Sequence, residues 1–233
     1  MKCEDTGFVT VGKTERGQRI VERCNCKEKK IQKERMEASG VDNNTPEKYK
    51  GATFENFEEG WQDQALKISE KYAKKVDKFL PGGKKAGQSL YLCGVHGTGK
   101  THLMYAIKDY VIRKKELSAV AFSTEKMLGR MKDYDDYQRD NFENLIKTIP
   151  LLLLDDISHI RSTDWEQEKM KGVIDERYRE NRPMVITDNM KPEALEKKYG
   201  GVEWAAIKSR LQEICAFVEL EAKPGETYRE KGI

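Results

Sequence analysis

Residues Gly94, Val95, His96, Gly97, Thr98, Gly99, Lys100 and Thr101 spell G-x-x-x-x-G-K-[ST], directly after the apolar run Leu90, Tyr91, Leu92, Cys93. A strand that turns through such a loop into a helix is the building unit of an α/β sheet. Glycines at 94, 97 and 99 let the backbone turn tightly and point successive N–H groups inward, where a side chain would block an approaching anion. Lys100 adds a point charge for the β- and γ-phosphates, and the Thr101 hydroxyl is placed to ligate Mg²⁺. The helix that begins near Lys100 aims its positive dipole end at the same anion. The pattern implies that the chain binds ATP or GTP.

At 233 residues there is room for one sizeable α/β domain and a small appendage. Forty-three basic and 40 acidic residues nearly cancel, so any nucleic-acid contact has to come from local patches rather than from net charge. No apolar run approaches about 18 residues, and the N-terminus does not resemble a signal peptide. A soluble, cytoplasmic protein with no membrane partner is expected. Five cysteines, an odd number, argue against a disulfide framework.

Residues 1–40 are dense in charge and too thin in apolar side chains for a core of their own; they form an N-terminal module carrying Cys3, Cys24 and Cys26. Residues 41–60 read as an extended linker, in which Phe54 and Phe57 need a surface to bury them and dock on the main domain. That domain occupies 61–233. Ala65, Ile68, Tyr72, Val76 and Phe79 predict one amphipathic helix closed by Pro81, Gly82 and Gly83. Further on, helical spacing at Leu103, Ala106, Ile107, Tyr110 and Val111 alternates with short apolar runs at 119–122, 151–154, 184–187 and 217–220. Thr163 and Glu166 form a capping box for a helix running to about Asn181. Strands alternating with helices predict a mostly parallel five-stranded sheet covered on both faces.

Hydrolysis needs more than phosphate binding: a metal ligand, a water-positioning group and positive charge for the transition state. Leu151, Leu152, Leu153, Leu154, Asp155, Asp156 is a buried strand that delivers two acids to the phosphate edge of the sheet. Asp155 is assigned to the Mg²⁺ shell and Asp156 to orienting the attacking water. Because Asp156 is one methylene shorter than the Glu usual in fast ATPases, slow turnover is expected. The strand Val185, Ile186, Thr187 should lie between the loop strand and the acidic strand, bringing Thr187 or Asn189 near the γ-phosphate. Asn189 is the choice, with a strand-end turn as the plainer alternative.

The order of these parts resembles an AAA+ ATPase, and within that class the DnaC-like replicative helicase loaders, bacterial and phage-encoded. Cys3, Glu4, Asp5, Thr6, Gly7 and Cys24, Asn25, Cys26 carry the resemblance at the front. Thr53, Phe54, Glu55, Asn56, Phe57 precede the phosphate loop, and Leu154, Asp155, Asp156, Ile157 with Thr163, Asp164, Trp165 follow it. Thr187, Asp188, Asn189, then Ser209, Arg210, Leu211, then Tyr228, Arg229 complete it, nearly the whole chain. The resemblance implies a Mg-dependent ATPase that binds a hexameric replicative helicase, places it on single-stranded DNA, and associates with itself through AAA+ interfaces. Arg210 resembles the family's arginine finger, which reaches the γ-phosphate of a neighbouring subunit; Arg229 resembles its second sensor. No C-terminal lid domain is expected. Lys126, Arg130 and Lys132 fall where such proteins face a central pore, with Tyr134 and Tyr137 able to stack on bases.

Zn²⁺ prefers soft sulfur in a tetrahedral set of four ligands, and Cys3, Cys24 and Cys26 offer three. The loaders carry a further cysteine three positions earlier, which would fall one residue before Met1, so zinc and free thiols both stay open. Cys93 and Cys215 are expected in the core, the latter near the end of an apolar helix. The basic stretch 27–35 is either a solvated helical face or a docking surface for the helicase or DNA. Two rivals stand beside the loader: a transposition helper ATPase of the IstB type, and a nucleotide-binding scaffold with negligible hydrolysis.

Overall fold

The computed structural model describes residues 8–14, 17–23, 45–57, 62–159 and 163–221. Two compact units emerge, Met1–Asp42 and Asn43–Ile233. In the first, β1 (Phe8–Lys13) and β2 (Arg19–Arg23) pair antiparallel with a bulge between Thr10 and Gly12. Their turn is closed by the Thr14 N–H, which donates to Gln18 O at 2.8 Å, and by Gly17 at φ +78°. A count of apolar residues misses this hairpin. Its signal is the β-branched run Val9, Thr10, Val11 facing Ile20 and Val21 across a glycine turn.

The second unit is built on β3 (Ser89–Gly94), β4 (Ala119–Ser123), β5 (Leu151–Asp155), β6 (Met184–Asp188) and β7 (Cys215–Leu220). They form one sheet in the order β4, β5, β6, β3, β7, with every pair parallel. The expected placement of β6 between the loop strand and the acidic strand holds. β3, β5 and β6 are buried along nearly their whole length, which is why they read as unbroken apolar runs and not as alternating ones.

The described helices are α1 (Asp63–Lys74), α2 (Lys100–Lys115), α3 (Thr124–Asp133), α4 (Asp136–Thr148), α5 (Asp164–Arg179), α6 (Pro192–Tyr199) and α7 (Gly201–Ile214). Ser123, Asp135 and Thr163 start α3, α4 and α5 by accepting from the N–H groups of Lys126, Gln138 and Glu166. Leu90, Leu92, Leu151, Leu153 and Val185 share one core with α1, α2 and residues 52–57. The intervening Tyr91, Leu152, Leu154 and Ile186, equally buried, face the other way by the two-residue period of a strand.

Phe54 and Phe57 are buried as expected, and the segment 45–57 lies along α2. Tyr49 stacks on Tyr105 with centroids 5.0 Å apart, and Phe57 meets His102 edge-on at 5.4 Å. The helix expected through Phe79 instead ends at Lys74, and a 3₁₀ turn follows over Val76–Lys78. That turn brings Phe79 back onto Tyr72, centroids 4.8 Å apart, burying both rings in the core. Cys93 is buried as expected; Cys215 stands at the end of α7 as expected but, where β7 opens, is only partly buried.

Candidate nucleotide-binding site

Three adjacent strands deliver their carboxyl ends to one edge of the sheet: β3 into the loop 94–101, β5 into Asp155 and Asp156, β6 into Asp188 and Asn189. Ligand crevices in open α/β sheets form at such strand ends. Gly94 has φ +144°, and a Cβ there would come within 2.1 Å of Leu220 O on the neighbouring strand, so only glycine fits. Gly97 and Gly99 also have positive φ, and Gly99 opens α2 with no side-chain cap. The first N–H groups of α2 are thereby left to face the loop's interior.

Lys100 has all three ammonium protons engaged: Gly94 O and Val95 O each accept at 2.8 Å, and Asn189 Oδ1 at 2.9 Å. Burial holds its ammonium below the usual lysine value, against the opposing pull of Asp156, Asp188 and Asp155. Asp155 Oδ1 accepts from the Thr101 hydroxyl at 2.9 Å and from the Thr187 hydroxyl at 2.5 Å. Burial raises the Asp155 carboxyl above its ordinary range, although both hydroxyl bonds favour its charge. Thr187 Oγ1 in turn accepts from the Asp156 N–H at 3.1 Å. Asp156 itself sits at φ +53°, a left-handed conformation uncommon for any residue with a Cβ. Strain of this kind costs about 1 kcal/mol and concentrates where geometry serves a site.

The sequence-predicted residues Gly94 to Thr101, Asp155, Asp156 and Asn189 therefore meet at one sheet edge. Thr101 Oγ1 and Asp155 Oδ1, two hard oxygens in contact, fit Mg²⁺. Arg210 is on α7 and makes no described contact with this chain's own loop. Its guanidinium lies 4.5 Å from the Tyr178 ring centroid and its Nε 3.4 Å from Asp175 Oδ1. Lys126, Arg130 and Lys132 are together on α3. Arg229 and the cysteines Cys3, Cys24 and Cys26 lie outside the described residues, as does the basic stretch 27–35. Among the described residues no group of three or more His, Cys, Asp or Glu side chains forms an all-protein metal cage, and no helix is long and apolar enough to cross a membrane.

One residue that shapes this sheet edge escapes sequence reasoning. Asp188 is fully buried, and its carboxylate accepts from the Ser158 N–H at 2.6 Å and the Met190 N–H at 2.7 Å. It thereby fastens the loop after Asp156 to the loop that holds Asn189. Ser158 O accepts from the Tyr199 hydroxyl, and Tyr199 stacks on Trp204 of α7 at 5.0 Å. Asp before Asn reads as turn chemistry in sequence; only the burial of β6 to its last residue reveals the clasp.

The profile of the bacterial DnaA ATPase domain matches residues 48–212. An uncharacterized protein of Bacillus subtilis (strain 168), YqaM, is 28% identical over 208 residues, 82% of this chain and 60% of that protein. The replicative helicase loader DnaI of the same organism is 29% identical over 114 residues, 48% of this chain and 37% of the loader. The chain thus spans less than two thirds of either relative. A solved structure of the replication initiator DnaA bound to AMPPCP and single-stranded DNA superposes with a TM-score of 0.62 at 22% identity, covering 81% of this chain and 54% of that one. These findings agree with the AAA+ fold and with the resemblance to helicase loaders.

Proposed function

The chain belongs to the family of the bacterial DnaA ATPase domain, and from that premise we propose that it is a slow Mg-dependent ATPase acting in the initiation of DNA replication. Its task in this reading is to load a hexameric replicative helicase onto single-stranded DNA. The observation that carries the proposal is the convergence of Lys100, Thr101, Asp155, Thr187 and Asn189, joined by hydrogen bonds of 2.5–2.9 Å at the ends of three strands. ATP phosphates take the N–H groups of 94–101 and exchange with the carbonyl acceptors of Lys100. Thr101 and Asp155 hold Mg²⁺, which when bound neutralises charge on the β- and γ-phosphates. Asp156 orients the attacking water, and Asn189 stands at the γ-phosphate. Arg210 of a neighbouring copy, with Arg229 as second sensor, supplies positive charge to the transition state.

Support for a loader comes from the likeness to DnaI and from the front signature of Cys3 to Gly7 with Cys24 and Cys26. The first unit holds the helicase in this reading, with zinc on its cysteines, and Lys126, Arg130 and Lys132 on α3 meet the phosphates of single-stranded DNA. Transfer of a replicative helicase hexamer to circular single-stranded DNA tests the proposal. Wild type with ATP should accelerate transfer, and Lys100→Ala should fall to the rate of helicase alone. Equal transfer by both chains would refute the proposed ATP control. Failure of both, with capture of a transposase on duplex DNA, would favour the transposition helper.

A further inference from the structure

Three cationic side chains are buried among the described residues: Lys100, Lys108 and Arg177. Two are well supplied with acceptors. Lys100 has three, and Arg177 donates to the carbonyls of Ile146, Ile149, Pro150 and Pro183. Lys108 has one, the Thr45 hydroxyl at 2.7 Å, with the Tyr105 ring centroid 5.9 Å away. No carboxylate pairs with it among the described residues, and a buried ammonium with so few partners is an unfavourable arrangement unless something else compensates its charge.

Beside Lys108 lies a cavity of about 290 Å³ between α2 and the segment 45–52, lined by Thr45, Tyr49, Ala52, Tyr105 and Ile112. Its other charged residues are already engaged: Lys50 pairs with Glu47, and Asp109 takes Arg113 at 2.5 Å. Lys108 is therefore the cation left to meet an incoming negative charge. The two tyrosine rings, stacked at 13°, and the aliphatic wall suit an apolar body behind that charge. Eight residues separate Lys108 from Lys100, about 12 Å along the helix, so the cavity is distinct from the phosphate loop.

We propose that this cavity is a second ligand site, which binds a small anion, a carboxylate or phosphate on a compact apolar body, through the Lys108 ammonium. Burial already holds Lys108 below the usual lysine value, and a bound anion would raise it again. The test follows the lysine ammonium and tyrosine ring resonances of the full chain by NMR, in the Lys100→Ala background so that the loop does not report. The probes are benzoate and phenyl phosphate, which share an apolar ring and differ in head group. One probe should shift Lys108 and Tyr105 saturably, and Lys108→Met should weaken it at least tenfold; which probe saturates identifies the head group. Ile112→Trp, at a half-exposed wall position that leaves Lys108 intact, should block binding if Lys108→Met does not fold. Linear, unsaturable drift with both probes, or undiminished binding in either variant, overturns the proposal.

Discussion

Asp155 carries the opposing demands of the site in a single side chain. Burial raises its carboxyl while Thr187 and Thr101 donate to it. A carboxyl raised in the folded state takes up its proton there before it does in the unfolded chain, so the destabilisation is fully present at neutral pH and is relieved as pH falls. Asp155→Asn keeps an acceptor for both hydroxyls and removes the charge. It should raise the unfolding midpoint at pH 7 by roughly 2–4 °C, with the gain shrinking in acid, and it should abolish Mg-dependent turnover. Thermal melts at the two pH values, beside a phosphate-release assay, check both halves. Asp156→Asn should behave differently: ATP affinity stays near wild type while turnover drops about 10²-fold or more, because only the group proposed to orient water is altered. A parallel loss of affinity would place Asp156 among the binding residues.

At the scale of elements, the segment 45–57 is fastened to the start of α2 by one small knot. The Asn56 side-chain oxygen accepts from the Thr53 N–H at 2.9 Å, and His102 Nε2 lies 3.1 Å from that oxygen and 3.0 Å from Thr53 O. His102 directly follows Thr101 in the phosphate loop. Asn56→Ala should speed amide exchange across 53–57 and the first turn of α2, leaving β5 and β6 unchanged. Uniform acceleration throughout the chain would mean that the knot supports global stability only. The sheet itself was legible because buried parallel strands write themselves as apolar runs, and 94–101, Asp155 and Asn189 because they stand at the ends of those runs. The hairpin of β1 and β2 was hidden by charge at the strand ends, where Arg19 and Arg23 sit beside Val21. The early end of α1 was hidden because Val76 and Phe79 keep helical spacing although a 3₁₀ turn, not α-helix, buries them. Asp188 and Lys108 escaped for a common reason: sequence shows a polar residue's type, not how deeply its neighbours bury it.

The whole molecule is proposed to work as a ring or filament in which one copy completes the site of the next. Arg210 is half-exposed on α7, held by Asp175 and the Tyr178 ring, so it is presented at a surface and not turned into its own loop. Arg210→Ala should bind ATP normally and lose most of its hydrolysis; fingers of this kind contribute roughly 10³ to 10⁵, and less is expected where turnover is already slow. Mixed with Lys100→Ala, which keeps its finger, it should recover part of the rate at shared interfaces, and no recovery at any ratio would argue against a shared site. All of this depends on the loop and the strand ends beside it holding a nucleoside triphosphate. Calorimetric titration of Mg-ATP into the full chain and into Lys100→Ala tests that claim most directly. Saturable binding by wild type and its loss in Lys100→Ala is the predicted result; equal affinity in the two chains would contradict the account.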